Sequence, residues 1–262
     1  MRTMGTDPRG TDLPGTDHPG TNIGHARSKA GHSRSRRQAI GAALAAFGAI
    51  AGPSLWGTAP RQAAAQTVHD HKHGFSGAQA WAKVLEDPKR DAWQKPHEVI
   101  QALGLKPDSV VADIGAGTGY FATRLSHMLP AGRVFAVDSE PDMVKYLGER
   151  AKKDGLKNLV PVAAAPDDPR LPARVDLVLM VNVFHHVENR DRWFLRLRDS
   201  LRSGGRVAII DFTLDSPEGP PKAARVPATQ VRAELEKAGY ELLREHRFLP
   251  NQFFLEFMPS KG

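Results

Sequence analysis

The sequence of 262 residues contains no cysteine. Disulfides, thiolate metal sites and a cysteine nucleophile are therefore excluded. Long apolar runs are also scarce. The run at 39–51 has 13 residues, against the roughly 20 that a helix needs to cross a bilayer. We therefore expect no stable membrane anchor in the processed protein.

Most of the chain carries no large excess of positive charge. The whole sequence carries 36 basic and 29 acidic residues and a net charge of +7, but residues 1–65 hold eight of the basic and three of the acidic ones. Residues 66–262 are therefore left with a net charge of only +2. A domain so weakly charged lacks the basic surface that binds nucleic-acid phosphates. We expect no nucleic-acid partner.

Residues 1–65 are typical of a leader outside a folded domain. A Gly-Thr-Asp or Gly-Thr-Asn triplet recurs every five residues at 5–7, 10–12, 15–17 and 20–22. So few apolar side chains cannot offset the entropy of ordering, so this part is predicted to be disordered.

The end of the leader has the parts of an export signal. Arg36 and Arg37 precede the apolar run at 39–51, and three alanines at 63–65 offer a cleavage site. The arginine pair resembles a twin-arginine signal; an ordinary secretory signal or an uncleaved anchor is the alternative. Export to the periplasm is predicted, or a cytoplasmic location if the leader is not used.

Three alternating histidines open the segment that follows the leader. His69, His71 and His73 have the imidazoles that suit a transition metal. No partner ligands are identifiable near this expected terminus, where a solvated tail is the competing interpretation. We assign no metal site.

The stretch at 110–121 is the organising feature of the chain. A short apolar strand leads through Asp113 into a turn with Gly115, Gly117 and Gly119, and a helix follows. The spacing is not the G-x-G-x-x-G of dinucleotide-binding folds. A carboxylate at Asp113 would repel a pyrophosphate, and it suits a cationic ligand such as the amino end of S-adenosylmethionine.

This stretch resembles motif I of the class I S-adenosylmethionine-dependent methyltransferases. The resemblance implies S-adenosyl-L-methionine as cofactor. It implies that the following residues hold its methionine part: Asp113, Gly115, Ala116, Gly117, Gly119 and Tyr120. Asp138 ends a second apolar strand at 133–138 and would accept hydrogen bonds from the ribose hydroxyls. A plain helix cap at 143–154 is the alternative for Asp138.

The loop after a third strand at 159–162 is the expected adenine contact of this family. Asp167 and Asp168 lie in it, and either would bind the adenine amino group. The local pattern departs from the commoner Gly-Asp-Ala form. A proline-rich turn with solvated carboxylates is an equal contender.

A continuous apolar run at 176–181 ends in Asn182, and His185 and His186 follow closely. Such a run is typical of a central parallel strand, and ligands bind at the carboxyl edge of open α/β sheets. The segment resembles motif IV of methyltransferases that act on small molecules (methyltransferase type 11-like). The resemblance places Asn182 at the cofactor and makes either histidine a candidate general base or substrate-orienting group; a structural role is the alternative.

Three further segments are predicted to lie near the site. A helical lid is expected at 81–105, interrupted by Pro88 and Pro96, with Trp93 and Gln94 either touching ligand or packing in the core. Asp211, at the end of a strand at 206–212, faces substrate or caps a loop. Residues 214–226 are predicted to form a flexible loop.

The order of elements predicts an α/β fold. We expect a doubly wound, Rossmann-like, seven-stranded sheet whose last two strands, 240–248 and 252–258, form an antiparallel hairpin. The expected domains are a leader (1–65), a tail with the helical lid (66–107) and a catalytic domain (108–262). The expected activity is methyl transfer to a small molecule. A non-catalytic protein that binds or senses S-adenosyl nucleosides is the alternative.

Overall fold

The computed structural model describes residues 77–165 and 167–261. The leader at 1–65, its export signal and the histidines at 69, 71 and 73 lie outside the described residues. The predictions made for them, and the predicted domain boundary at 65, therefore stay predictions.

A single seven-stranded sheet forms the centre of the described chain. Its strands are β1 (Val110–Ile114), β2 (Arg133–Asp138), β3 (Leu159–Ala163), β4 (Val175–Val181), β5 (Leu201–Phe212), β6 (Tyr240–His246) and β7 (Gln252–Pro259). The spatial order is β3-β2-β1-β4-β5-β7-β6. Strands β1 to β5 are parallel, and β7 runs antiparallel to both β5 and β6. The predicted Rossmann-like sheet with a C-terminal antiparallel hairpin is confirmed.

Seven helices accompany the sheet in the described residues. They are α1 (Ala78–Leu85), α2 (Asp91–Gln94), α3 (Pro96–Ala102), α4 (Tyr120–Met128), α5 (Pro141–Lys153), α6 (Arg190–Leu197) and α7 (Ala228–Lys237). One face of the sheet packs against α3, α4 and α5, and the other packs against α6 and α7. The parallel strands are covered on both faces, so most of their central residues are apolar.

The side chains of β5 show which way its last residues point. Val207 and Ile209 belong to the core beneath α6 and α7, whereas Ala208 and Ile210 belong to the opposite core. Successive side chains of a strand alternate between faces. Asp211 therefore points toward the α6–α7 face.

The lid expected at 81–105 is interrupted near both Pro88 and Pro96. A 3₁₀ turn (Pro88–Arg90) separates α1 from α2, and Lys95, with a left-handed backbone (φ 45°), separates α2 from α3, which begins at Pro96. On the other side of the sheet, α6 ends at Leu197. The chain then makes a 3₁₀ turn, and Leu201 already pairs with Val175 as the start of β5.

The carboxyl edge of the sheet brings the predicted motifs together. Strand β1 lies between β2 and β4, so chain order reverses there, and a crevice forms between the turns that follow the strands. Gln252, which begins the antiparallel β7, pairs with Phe212 at the same edge. No helix of the described chain is both long and apolar enough to span a membrane.

Candidate functional site

The glycine turn after β1 presses directly against the segment that follows β4. Gly115 has a φ of +69°, and a Cβ atom there would lie 2.3 Å from Cγ2 of Val183. Only glycine combines this backbone conformation with so close an approach. Gly115 and Val183 are 68 positions apart in the sequence but meet across the crevice, so the two predicted motifs form one surface.

Asp113 is a buried carboxyl group beneath that turn. Only 3% of the residue is exposed, and its strand neighbours are Ala136 and Leu179. Burial, together with the negative charge of Asp138, raises the pKa of Asp113 to about 7. A cation bound here would favour the ionised carboxylate, so the position suits a positively charged ligand group.

Asp138 connects the end of β2 to the glycine turn. Its Oδ2 atom accepts a hydrogen bond from the Gly117 N–H at 2.8 Å, and its Oδ1 atom accepts one from the Glu140 N–H at 3.0 Å. Burial raises the pKa of Asp138, while these backbone hydrogen bonds oppose the rise. The side chain thus makes a cap-type contact at the start of α5 and also faces the turn, as the ribose role requires.

The helical lid contacts the glycine turn through Glu86. Its Oε1 atom accepts hydrogen bonds from the Thr118 hydroxyl at 2.7 Å and from Arg150 Nη1 at 2.5 Å. The neighbouring Leu85 side chain lies against Gly117, where an added Cβ would be 3.2 Å from its Cδ1 atom. The lid therefore covers the turn in this structure.

A second lid contact surrounds Tyr120, the first residue of α4. The Tyr120 hydroxyl donates to Asp91 Oδ1, and the guanidinium groups of Arg90 and Arg124 lie 4.2 and 4.0 Å from the centre of its ring. Burial and the Asp91 carboxylate raise the pKa of Tyr120. The residue predicted to touch the cofactor is thus held between the lid and α4.

His185 is paired with a carboxylate. Its Nδ1 atom lies 2.9 Å from Asp211 Oδ2, and the two side chains are each only 5% exposed. The ring of His186 lies 4.1 Å from that of His185, centre to centre, but His186 is exposed. The two histidines line one side of a cleft of about 790 Å³, with Glu234 and Lys237 of α7 among the other lining residues.

Asn182 belongs to a group of three amides. Its side chain hydrogen-bonds with Gln94 of the lid and with Gln252 of β7. Gln94, for which both ligand contact and core packing were open, is fully buried. Its neighbour Trp93 is half-buried, with its ring 5.8 Å from that of Phe212.

The two loop carboxylates predicted for adenine lie apart from these groups. Asp167 is exposed and forms an ion pair with Arg196 of α6 at 2.5 Å, which holds the pKa of this carboxyl below its usual range. Asp168 is also exposed, and its Oδ1 atom accepts a hydrogen bond from the Arg170 N–H at 2.8 Å. These contacts match the solvated-turn alternative, and the adenine role stays a prediction.

Sequence reasoning missed several residues of the site. Glu86, Asp91 and Gln252 carry no motif, and the pairing of His185 with Asp211 joins residues 26 positions apart. One signal was available for that pair, since His185 closely follows one expected strand and Asp211 lies at the end of another. Among residues 77–165 and 167–261 there is no group of three His, Cys, Asp or Glu side chains that could hold a metal ion.

Comparison with known proteins gives a consistent result. Residues 112–207 match a family described as "Methyltransferase domain". The chain is 35% identical over 75 residues to the protein-L-isoaspartate O-methyltransferase of Aeropyrum pernix, covering 28% of this chain and 29% of that protein. It spans half or less of the length of the first curated relatives that it matches.

Solved structures agree with the sequence matches. A SAM-dependent methyltransferase from Aquifex aeolicus superposes with a TM-score of 0.65 at 28% identity, covering 69% of this chain and 98% of that one. The glycopeptide N-methyltransferase MtfA, complexed with S-adenosyl-L-methionine, has a TM-score of 0.53 at 13% identity over 64% of this chain and 87% of that one, a likeness in fold alone. Residues 112–207 thus match a methyltransferase domain, the described chain has the fold of a SAM-dependent methyltransferase, and the cofactor that these comparisons support is S-adenosyl-L-methionine.

Proposed function

We propose that this protein transfers the methyl group of S-adenosyl-L-methionine to a small molecule through an oxygen or another protonated nucleophile. The observation that carries the proposal is the pair of buried carboxyl groups, Asp113 and Asp138, on either side of a glycine turn. A phosphate-binding turn would not place the Asp113 carboxylate there, because it would repel the phosphates.

The residues of the turn suit the two ends of this cofactor. The buried Asp113 offers a carboxylate to the ammonium of the methionine part, and the turn at Gly115 leaves no side chain in the way. The Asp138 carboxylate accepts backbone hydrogen bonds from Gly117 and Glu140, and its two oxygens have about four lone-pair sites, so it can also accept one from a ribose hydroxyl. The bound cofactor supplies the methyl group from its sulfonium centre.

His185 supplies the base. Asp211 accepts the hydrogen bond from Nδ1–H and thereby fixes the tautomer whose Nε2 carries a lone pair. That lone pair accepts the acceptor's proton as the new bond to the methyl carbon forms. Because the pair is almost inaccessible to solvent, bulk water does not compete strongly for the base.

The size and charge of the cleft support a small polar acceptor. Its volume of about 790 Å³ is within the range of small-molecule sites. Charged side chains line it, including Glu188, Arg190 and Lys237. Two of the proteins named above are a protein-L-isoaspartate and a glycopeptide methyltransferase, so the proposal of a small-molecule acceptor for this chain depends on its own cleft.

Calorimetric titration of the full chain with S-adenosylmethionine and S-adenosylhomocysteine tests the cofactor site. We expect a dissociation constant in the micromolar range and a loss of about tenfold or more in Asp138→Asn. Asp108→Asn, a change at an exposed loop carboxylate, is the matched control and should bind like the wild type. Absence of binding by a folded wild-type chain would reject the proposed function.

A methyl-labelled cofactor tests the class of acceptor. Incubated with the protein and a cell extract, it should place label in the small-molecule fraction, and His185→Gln should abolish that transfer. Label found only in protein or nucleic acid would contradict the proposed acceptor class.

We propose further that the leader exports the protein by the twin-arginine route. The support is the order of Arg36, Arg37, an apolar run and three alanines. A fusion of residues 1–70 to a reporter active only after export should be active, and Arg36→Lys with Arg37→Lys should abolish the activity. Arg34→Lys is the matched control. Export that persists in the double variant would reject this route, and a silent wild-type fusion would reject export.

A further inference from the structure

Three side-chain amides from distant parts of the chain close into a ring. Asn182 Nδ2 donates to Gln94 Oε1 at 3.4 Å, Gln94 Nε2 donates to Gln252 Oε1 at 2.7 Å, and Gln252 Nε2 donates to Asn182 Oδ1 at 2.6 Å. Gln94 is 0% and Gln252 4% exposed. Each amide donates once and accepts once within the ring, so removing one member leaves a donor and an acceptor unpaired in a buried place.

The amide ring holds the side chain of Asn182, whose backbone has an uncommon conformation. Asn182 has a φ of 60°, a left-handed conformation that is uncommon for residues with a side chain and that asparagine adopts more readily when its side-chain amide is hydrogen-bonded. Its N–H is fixed to the Ile210 carbonyl at 2.8 Å. The ring holds its side chain, so backbone and side chain are both constrained.

Asn182 determines where the next residues lie. Val183 packs on Gly115, and the 3₁₀ turn Phe184–His186 begins immediately afterwards. That turn delivers His185 to Asp211. A change of backbone conformation at Asn182 would therefore displace both the wall of the glycine turn and the base.

We infer that Gln94 is a positioning residue, which completes the amide ring only when the lid is closed and thereby holds the turn that carries His185 in place. The inference rests on the proposed methyl transfer. Closure of the lid and alignment of the base then occur together.

The lid has other attachments that are independent of the ring. Glu86 binds Arg150 and Thr118, and Lys95 Nζ donates to the Phe248 carbonyl at 3.0 Å. Loss of the Gln94 amide should therefore leave the lid attached to the domain and the fold intact. The role of the amide ring can therefore be tested separately from the attachment of the lid.

The experiment compares Gln94→Leu with Gln101→Leu, an exposed glutamine of α3, in the full chain without ligand. Amide hydrogen exchange at 183–187 should be about tenfold faster in Gln94→Leu, and the Cε1–H NMR signal of His185 should shift. The Gln101→Leu control should show neither change.

The variant Asn182→Gly tests whether Gln94 affects residues 183–187 through the backbone of Asn182. Glycine adopts the left-handed backbone without support, so adding Gln94→Leu to Asn182→Gly should accelerate exchange at 183–187 no further. Fully additive effects would overturn the inference.

The outcomes separate this inference from the proposed function. An unmoved His185 signal with unchanged exchange in Gln94→Leu overturns the inference even when the wild type binds S-adenosylhomocysteine. Faster exchange spread over the whole domain also overturns it, because the amide would then be only a structural contact. A wild type that binds no S-adenosylhomocysteine rejects the proposed function, whatever the exchange shows.

Discussion

Nδ1 of His185 lies 2.9 Å from Oδ2 of Asp211, and only 5% of either side chain is exposed. Asp211 also accepts a hydrogen bond from the Phe212 N–H at 2.8 Å. The backbone of β5 therefore helps to hold the Asp211 carboxylate in place. A carboxylate held in this way orients the imidazole and stabilises its protonated form. The pair therefore has the geometry of a base with its orienting acid.

Replacing Asp211 by asparagine should lower the rate of methyl transfer about 100-fold, a typical contribution of general-base catalysis. The amide retains the shape and the hydrogen bond from Phe212, but it no longer stabilises the imidazolium. Turnover of the labelled cofactor with the isolated acceptor measures the rate, and calorimetry should show unchanged S-adenosylhomocysteine binding. Asp215→Asn, at a loop carboxylate that is 92% exposed, is the control. Equal loss in both variants would contradict a role for the pair.

Cofactor affinity should depend on the ionisation of Asp113. The pKa of this carboxyl is about 7 in the free protein, and the cationic end of the cofactor prefers the ionised form. Protonation therefore competes with binding, and the dissociation constant of S-adenosylhomocysteine should rise about tenfold from pH 8 to pH 6. Asp113→Asn should bind weakly with little pH dependence between these values. A flat profile in the wild type would refute the role of Asp113.

The same carboxyl group should make the free protein less stable as the pH rises. Its pKa is raised from 3.8 in the unfolded chain to about 7 in the folded one, so the folded state binds more protons between these values, and the free energy of unfolding falls as pH increases through this window. Asp113→Asn should therefore raise Tm at pH 8 by about 5 °C, and the gain should shrink toward pH 4. Asp108→Asn should leave Tm unchanged at both pH values.

The sequence predicted the sheet and most of the crevice because their signals are local. Asp113 and the glycines lie within seven residues of each other, and short apolar runs marked the strands that became β1, β2 and β4. The position of Asn182 at the carboxyl edge followed from the last of these runs.

The remaining features depend on contacts between distant residues. Gln94, Asn182 and Gln252 are joined across as many as 158 positions, and no local pattern marks such a ring. The lid was expected as one interrupted helix, but a left-handed backbone at Lys95 divides it. Helix propensities describe the average preference of a segment, so they do not predict the backbone conformation of a single residue that tertiary contacts hold.

The close approach of the two turns can be tested by a matched pair of glycine substitutions. Gly115 and Gly155 have nearly equal φ values, +69° and +67°, but an added Cβ meets Val183 at 2.3 Å only at Gly115. Gly155→Ala should cost about 1 kcal/mol for the left-handed backbone alone, whereas Gly115→Ala should cost about 3 kcal/mol and weaken S-adenosylhomocysteine binding. Urea unfolding and calorimetry measure both effects. Equal costs would show that Val183 moves aside freely.

The loop after β5, expected to be flexible, is tied together by one arginine. The Arg225 guanidinium donates to five backbone carbonyls of the loop, at distances between 2.8 and 3.3 Å, those of Thr213, Leu214, Ser216, Glu218 and Pro220. Gly219 of the same loop packs on the ring of Phe212, which follows Asp211. The loop is thus anchored beside the proposed base.

Arg225→Lys should release this loop, because an ammonium group cannot satisfy five carbonyls with the geometry of a guanidinium fork. We expect a loss of about 2 kcal/mol in the free energy of unfolding and faster cleavage by subtilisin within 213–225. Lys222→Met, at an exposed lysine of the same loop, should change neither. If the loop also supports the acceptor site, the KM for the isolated acceptor should rise in Arg225→Lys while the affinity for S-adenosylhomocysteine stays constant. A protease-resistant loop in Arg225→Lys would show that the packing of Gly219 on Phe212 suffices to hold it.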